Sequence, residues 1–390
     1  MQYTDFKELK ISRLGFGAMR LPMDADGKIL PDEVQKMVDY AIAHGINYFD
    51  TAYRYHAGES ENYFGRALAK HPRESFYLAD KLPTWLCNTE ADVKKIFEEQ
   101  LSKCGVDYFD FYLFHNIDEE SWDNIVALNM FDHMRAEKAA GRVRHLGASF
   151  HCSAELLRSI LEEYGDDLEF VQLQINYFDW EYDKAYEYYN VAREFNKPII
   201  IMEPVRGGML ANPMSDEARK MLDEAAAEGS ACRKADGSGA NYAAYALKYC
   251  DELPGILTTL SGMSNYEQMV DNVNTFNAPA LTAEEKAAIE AAGKALQSDI
   301  IIPCTACNYC DECPAGINIP KIFSMYNVAA SKGFHNIWGS LSGQYYKLET
   351  TASACIQCGA CESHCPQKIK IIEELKKIDA KYAHLKEIGE

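Results

Sequence analysis

From Ser12 to Met263, short apolar runs alternate with longer amphipathic stretches. The apolar runs, each of strand length, cover residues 12–19, 48–52, 76–82, 111–116, 145–150, 170–176, 198–205 and 258–263. Between them lie segments such as 31–44, 90–104, 122–140, 154–164 and 182–195, where apolar residues recur every three or four positions, the period of a helix with one buried face. Asp32 behind Pro31 and Gly45 after the last turn supply start and stop signals for the first helix. Eight strands with helices between them predict an α/β protein, a closed (β/α)8 TIM barrel rather than an open sheet. Ahead of the first strand, residues 3–6 and 9–11 predict a small hairpin capping the barrel's lower mouth. Residues 229–239, rich in Gly, Ala and Ser, predict a loop on the upper face. Residues 282–296 predict a linking helix, with Thr282 as N-cap and Glu285 completing a capping box. We therefore divide the chain into a barrel, 1–281, and a mainly helical C-terminal unit, 282–390.

The 390 residues, 47% hydrophobic and 25% charged, suit a barrel of ~250 residues with a second unit appended. No run approaches the ~20 apolar residues of a spanning helix, and Met1–Lys10 lacks the features of a signal peptide, so a cytoplasmic location is expected. A net charge of −20 argues against nucleic acid or an anionic membrane as partner. Thirteen cysteines are many for a cytoplasmic chain, where disulfides are rare. Cys87, Cys104, Cys152, Cys232 and Cys250 are scattered and read as small buried hydrophobes. The other eight form two tight runs, which points to metal.

The second run, Cys355-x2-Cys358-x2-Cys361-x3-Cys365-Pro366, has the bacterial ferredoxin spacing. The first, Cys304-x2-Cys307-x2-Cys310-x2-Cys313-Pro314, is one residue shorter before its last cysteine. In two-cluster ferredoxins the fourth cysteine serves the other cluster. Two 4Fe–4S clusters are thus expected, one held by Cys304, Cys307, Cys310 and Cys365, the other by Cys355, Cys358, Cys361 and Cys313. The alternative is a pair of four-thiolate zinc sites, but paired runs ending in Cys-Pro are a cluster signature. The insert 319–348 contains a helix-like stretch, 322–330, which predicts a helical ferredoxin-like module.

Polar residues at strand C-terminal ends mark where barrel chemistry sits. Asp50 ends the second strand, Tyr55 follows it, Lys81 ends the third and His115 the fourth. One such residue alone usually satisfies a cap or turn. Four from three successive strands converge on one mouth. Asp50-Thr51-Ala52 with Tyr55, Ser60-Glu61, a strand-end lysine and a strand-end histidine resembles the aldo-keto reductase pattern, over about residues 1–280. The resemblance implies that Tyr55 donates a proton, that His115 orients a carbonyl, and that Lys81, paired with Asp50, lowers the tyrosine pKa. The chemistry is consistent in itself. A free tyrosine titrates near ~10, so a nearby ammonium makes it useful near neutrality, and a buried lysine in turn needs a carboxylate.

The resemblance also implies NAD(P)H across the barrel mouth. Met19 and Arg20 follow the first strand, Ser149 and Gln174 would hold the carboxamide, and Arg206 and Gly207 would meet phosphate. Gly262, Ser264, Gln268 and Asn272 form the adenosine side. There are departures: Phe150 and His151 follow Ser149 where relatives have Asn, and His56 stands where glycine is common after the tyrosine, making the substrate side more polar. Gly262 and Gln268 stand where some relatives grip a 2′-phosphate with basic residues, so NADH and NADPH both remain open. Tyr53, Trp85, Trp122 and Phe178 are candidates for lining the pocket.

With its cysteine module, the whole chain resembles a subgroup of aldo-keto reductases carrying a C-terminal dicluster ferredoxin-like domain. That implies hydride transfer to a small carbonyl-like compound, with the clusters exchanging electrons with a carrier protein. Hydride carries two electrons while each cluster takes one; a flavin usually mediates, and no flavin fingerprint is found. A second reading is a nucleotide-binding, redox-sensing module with little turnover. In a third, the clusters only staple the module to the barrel.

Overall fold

The computed structural model describes residues 1–299, 301–331, 334 and 345–387. Strands β1 (Tyr3–Phe6) and β2 (Leu9–Ser12) pair antiparallel as the expected hairpin. The barrel strands follow in chain order: β3 (Leu14–Gly17), β4 (Tyr48–Asp50), β5 (Tyr77–Pro83), β6 (Phe109–Ile117), β7 (Val143–Phe150), β8 (Phe170–Gln174), β9 (Ile199–Met202) and β10 (Ile256–Ser261). Each pairs in parallel with the next, and β10 closes the ring on β3. Most of their residues are buried on both faces, which is why the sequence shows near-continuous apolar runs rather than alternation. Phe6 enters the barrel from the hairpin and packs edge-on to Phe170 and His145 and against Phe111. It joins Ile11, Tyr48, Leu113 and Leu257 in a core of its own that plugs one end.

Several expected elements are shorter. The first run splits, since Ser12 ends the hairpin and Ala18–Arg20 form a 3-10 turn. The helix expected over 122–140 is two helices, Glu119–Ala127 and Met130–Ala139. Asp118 and Ser121 cap the first reciprocally, and Asn129, at φ +49°, breaks the chain direction before the second. Likewise Lys184, at φ +52°, separates the turn Asp179–Tyr182 from the helix Ala185–Glu194. The seventh barrel strand stops at Met202 because Glu203 turns out at φ +55°.

The capping box of the linking helix is present: Glu285 N donates to Thr282 Oγ1 (3.1 Å) and Thr282 N to Glu285 Oε2 (2.9 Å). That helix, Ala283–Asp299, buries Ile289, Ala292 and Leu296 against Leu210, Leu222 and Phe178, on the flank of the barrel. Residues 229–239 form an irregular segment with one bridge, Arg233 to Ala240. The C-terminal module packs helices Ile319–Ser331 and Ile371–Glu387 around Ile302, Ile322, Phe323, Leu375, Ile378 and Tyr382. The expected stretch 322–330 lies inside the first of these, while residues 332–333 and 335–344 of the insert lie outside the described residues. Four scattered cysteines are buried as expected, and Cys152 is half-buried. Among the described residues no helix is long and apolar enough to cross a membrane.

Because Phe6 is buried at the centre of the plug at the hairpin end of the barrel, Phe6→Ala should cost about 3–5 kcal/mol, the range for emptying an aromatic core position. Denaturant unfolding of the two proteins measures it; a loss below about 1 kcal/mol would mean that the plug does not close the core.

Candidate active site beneath the cysteine module

Parallel pairing sets Asp50 beside Ala79, two residues before Lys81, so the ends of β4 and β5 meet at the mouth. Lys81 has no solvent exposure. Its Nζ donates to Asp50 Oδ1 (2.5 Å) and the Thr51 carbonyl (2.7 Å), and lies 3.4 Å from Tyr55 Oη. Tyr55 opens a tight turn in which His56 and Ala57 are left-handed. That turn is held by His56 Nε2, which accepts from Leu21 N (2.9 Å), so His56 braces the backbone instead of adding polarity to the substrate side. His115 comes from β6, its ring 6.0 Å from that of Tyr55 and 5.1 Å from Trp85. The four expected residues are thus brought together.

Burial decides their protonation. It pushes the Tyr55 phenol well above its usual value, and the charges of Asp50 and Glu203 push the same way. The ammonium of Lys81, itself paired with Asp50, does not outweigh burial, so the phenol stays above its usual value and not below it. A protonated phenol is still the form a proton donor needs. His115 is driven well below its usual range by burial, then by Lys81, which leaves the imidazole neutral. Neighbouring His151 falls to about 4 for the same first reason.

The first cysteine run and the residues after the last cysteine close over this mouth. Tyr309 Oη lies 3.2 Å from His115 Nε2 and also hydrogen-bonds Tyr55. The Thr305 carbonyl accepts from Arg20 Nη2 (3.1 Å) and the Pro303 carbonyl from Arg206 Nη2 (3.3 Å). Gln367 Nε2 donates to Gln174 Oε1 (2.9 Å), and Gln174 Nε2 returns a bond to Gln367 Oε1 (3.3 Å). Ion pairs Lys368–Asp118 and Arg54–Glu312 tie the edges. One partly open cavity is therefore walled by both units, with Asp50, Tyr55 and His115 below and Cys307, Tyr309 and Gln367 above.

Residues 13–294 match the family model of the aldo/keto reductases. The chain belongs to the aldo/keto reductase family. Residues 303–369 match the 4Fe-4S dicluster domain, so this aldo/keto reductase carries an iron–sulfur module behind its barrel. The uncharacterized oxidoreductase YqkF of Bacillus subtilis is 25% identical over 320 residues, 73% of this chain and 93% of that protein. L-galactose dehydrogenase of Arabidopsis thaliana is 25% identical over 271 residues, 68% of this chain and 84% of that one. Among solved structures, the holo form of aldo-keto reductase AKR11C1 from Bacillus halodurans superposes with a TM-score of 0.59 at 24% identity, covering 76% of this chain and 97% of that one. An aldo/keto reductase from Klebsiella pneumoniae, in complex with NADP and acetate, has a TM-score of 0.59 at 19% identity over 73% and 92% of the two chains. The family makes this chain an oxidoreductase; the solved structures bear on its fold.

Against that background, several residues expected to hold a dinucleotide are otherwise engaged. Arg206 is a correction. It is fully buried, pairs with Asp179 (2.7 Å) and lies over the Phe178 ring, so it braces the core and offers nothing to a phosphate. Gly207, at φ +64°, donates its N–H to Glu203 Oε2 (2.5 Å), and a Cβ there would run into the Thr305 carbonyl. Gln174 faces the cavity, yet it also donates to Asp179 Oδ2 (2.7 Å). Ser149 is buried and accepts from Asn116 N (2.8 Å), outside the cavity wall. Asn272 is likewise buried, donating to Ser261 Oγ (2.9 Å). Met19, Arg20 and Gly262 do line the cavity. Ser264 N donates to Gln268 Oε1 (2.8 Å) on an exposed turn beyond β10.

Of the aromatic candidates only Trp85 reaches the tetrad. Tyr53 donates to Glu99, Trp122 packs on Phe131 and Tyr164, and Phe178 lies beneath Arg206. Sequence reasoning missed Thr305, Tyr309 and Gln367. Their place inside or just after the cysteine runs was the only signal, and it pointed to the clusters.

Cys304, Cys307, Cys310 and Cys365 line one cavity between Tyr309, Phe323 and Ile369. The Cys307 thiol is pushed up to about 12 by burial, with Glu203, Cys365 and Cys304 adding to it. Cys361 rises to about 11 by burial, with Glu362, Cys313 and Cys355 adding. Cys304, Cys307 and Cys310 thus meet the last cysteine of the other run, and Cys361 lies near Cys355 and Cys313. Buried thiols that oppose one another's ionisation fit an iron cluster, whose positive irons let all of them lose their protons together.

Removing the Arg206 side chain leaves Asp179 buried and unpaired. Arg206→Ala should therefore destabilise the protein by about 3–5 kcal/mol, read from its unfolding transition. A phosphate-gripping arginine would instead leave stability unchanged and lower nucleotide affinity.

Proposed function

We propose that this aldo/keto reductase is an NAD(P)H-linked reductase of a small carbonyl-like compound, with Tyr55 as proton donor. The observation that carries the reading is the buried Lys81–Asp50 pair with Tyr55 Oη 3.4 Å from the ammonium, opening on a cavity that His115 also lines. The nicotinamide, when bound, supplies hydride to the carbonyl carbon. The chain's own residues do the rest. His115, kept neutral by burial, points Nε2 at the oxygen, and Tyr55 hands its proton to that oxygen. The phenolate left behind lies beside Lys81, which stabilises it until a proton returns. Met19, Arg20 and Gly262 are the cavity-side contacts for the nicotinamide end, and the exposed Ser264 and Gln268 suit the adenosine end. The dicluster module exchanges single electrons with a carrier protein. The NADP complex of the similar Klebsiella pneumoniae aldo/keto reductase supports the nucleotide.

A second reading has one observation in its favour. The module covers Gly207 and holds Gln174, positions the nucleotide would need. A nucleotide-binding unit that reports cluster state, with little turnover, would be built in this way. Steady multiple turnovers with NADH or NADPH and a small aldehyde would remove it. In that anaerobic assay Tyr55→Phe should lower kcat by roughly 10²–10⁴-fold, the usual weight of a positioned acid. Undiminished turnover in that variant would sink the assignment of Tyr55.

A further inference from the structure

Two hydrogen-bonding groups converge on one point of the cavity, the Tyr55 hydroxyl and His115 Nε2. On the reading above, that point belongs to the oxygen of the substrate. Here it belongs to Tyr309, whose hydroxyl lies 3.2 Å from His115 Nε2 and hydrogen-bonds Tyr55. The ring is seated, not merely nearby: its centroid is 6.2 Å from the His115 ring and 6.3 Å from Trp85, which itself packs at a tilt against His115. We propose that Tyr309 is a built-in occupant of the tetrad's oxygen site, so that the module holds the barrel closed until a neutral carbonyl compound displaces this hydroxyl.

The chemistry of the exchange is simple. The Tyr309 hydroxyl donates to Tyr55 and meets His115 Nε2 from the one position where a carbonyl oxygen would bond the same two side chains, so the two compete for it. Displacement moves the 304–310 segment, which is held by Arg20 through the Thr305 carbonyl (3.1 Å). Two non-glycine residues of that segment, Ala306 at φ +52° and Asn308 at φ +64°, sit in the left-handed region, where alanine in particular is held at some cost. In the same cavity wall Glu203 is paired with Arg20 (3.7 Å), which leaves that side without a net charge beside Gln172 and His151 and suits a small neutral carbonyl compound. Tyr309 lies between Cys307 and Cys310, so the cluster ligands fix where its hydroxyl can go.

The proposal rests on the tetrad being an oxygen site, and its test separates the two. Acetamide, a neutral carbonyl that is not reduced, is titrated into the full-length, cluster-loaded protein without nucleotide, and binding is read from Trp85 fluorescence with Trp85→Phe as baseline. Tyr309→Phe keeps the ring and removes the competing hydroxyl, so acetamide should bind about tenfold more tightly, the worth of the hydrogen bonds no longer contested. His115→Gln should weaken binding. If His115→Gln weakens binding while Tyr309→Phe leaves it equal or weaker, Tyr309 is not an occupant, and only this proposal falls. If His115→Gln changes nothing, the oxygen site itself is wrong and both readings fall. Iron is counted in each sample first; should Tyr309→Phe lose iron, Tyr309→Met replaces it in the same titration.

Discussion

A lysine ammonium with no access to water sits at the mouth of this barrel, and the site is arranged around the cost of keeping it there. A buried charge of this kind costs several kcal/mol unless a partner lies within contact distance. Asp50 meets it at 2.5 Å and the Thr51 carbonyl takes a second proton of the ammonium. Both partners come from the end of β4, so the register between β4 and β5 and the electrostatics of the site are one requirement. Further charge nearby is disfavoured: the Tyr55 phenol is held protonated and His115 neutral. What covers the tetrad directly is correspondingly uncharged, the hydroxyl of Tyr309 and the amide of Gln367.

That cover joins the two units. The linking helix lies along the barrel's flank, and the module returns its first cysteine run across the mouth, where backbone carbonyls of Pro303 and Thr305 take the guanidinium protons of Arg206 and Arg20. The wall that holds Cys307 faces the tetrad on one side and the other three cysteines of its group on the other. The iron–sulfur module is thus part of the site, and a change in the position of its first run changes what the barrel can admit.

Much of this was legible in the sequence because it depends on local spacing. Parallel strands buried on both faces leave apolar runs, so the eight strands show through, and Asp50, Tyr55, Lys81 and His115 stand at or just beyond the ends of three of them. Cys304, Cys307 and Cys310 line one cavity with Cys365 of the other run, a meeting their spacing alone suggested. The breaks at Asn129 and Lys184 were not legible, since both residues continue a helical period and only their left-handed backbone ends it. Arg206 beside two glycines suggested phosphate; its partner, Asp179, is 27 positions away and brought close by the closure of the barrel. Tyr309 and His115 are 194 positions apart, and no periodicity encodes a meeting between units.

The first cysteine run lies over the barrel mouth, and on the proposal above it has to lift for a ligand. Hydrogen–deuterium exchange of the cluster-loaded protein, with and without saturating NADP, tests this most directly. Faster exchange at residues 303–309 and 366–368 on binding, with slower exchange around Ser264 and Gln268, is the predicted result. Bound nucleotide with unchanged or slower exchange at 303–309 would contradict it, and would mean that module and nucleotide share the mouth without displacing one another.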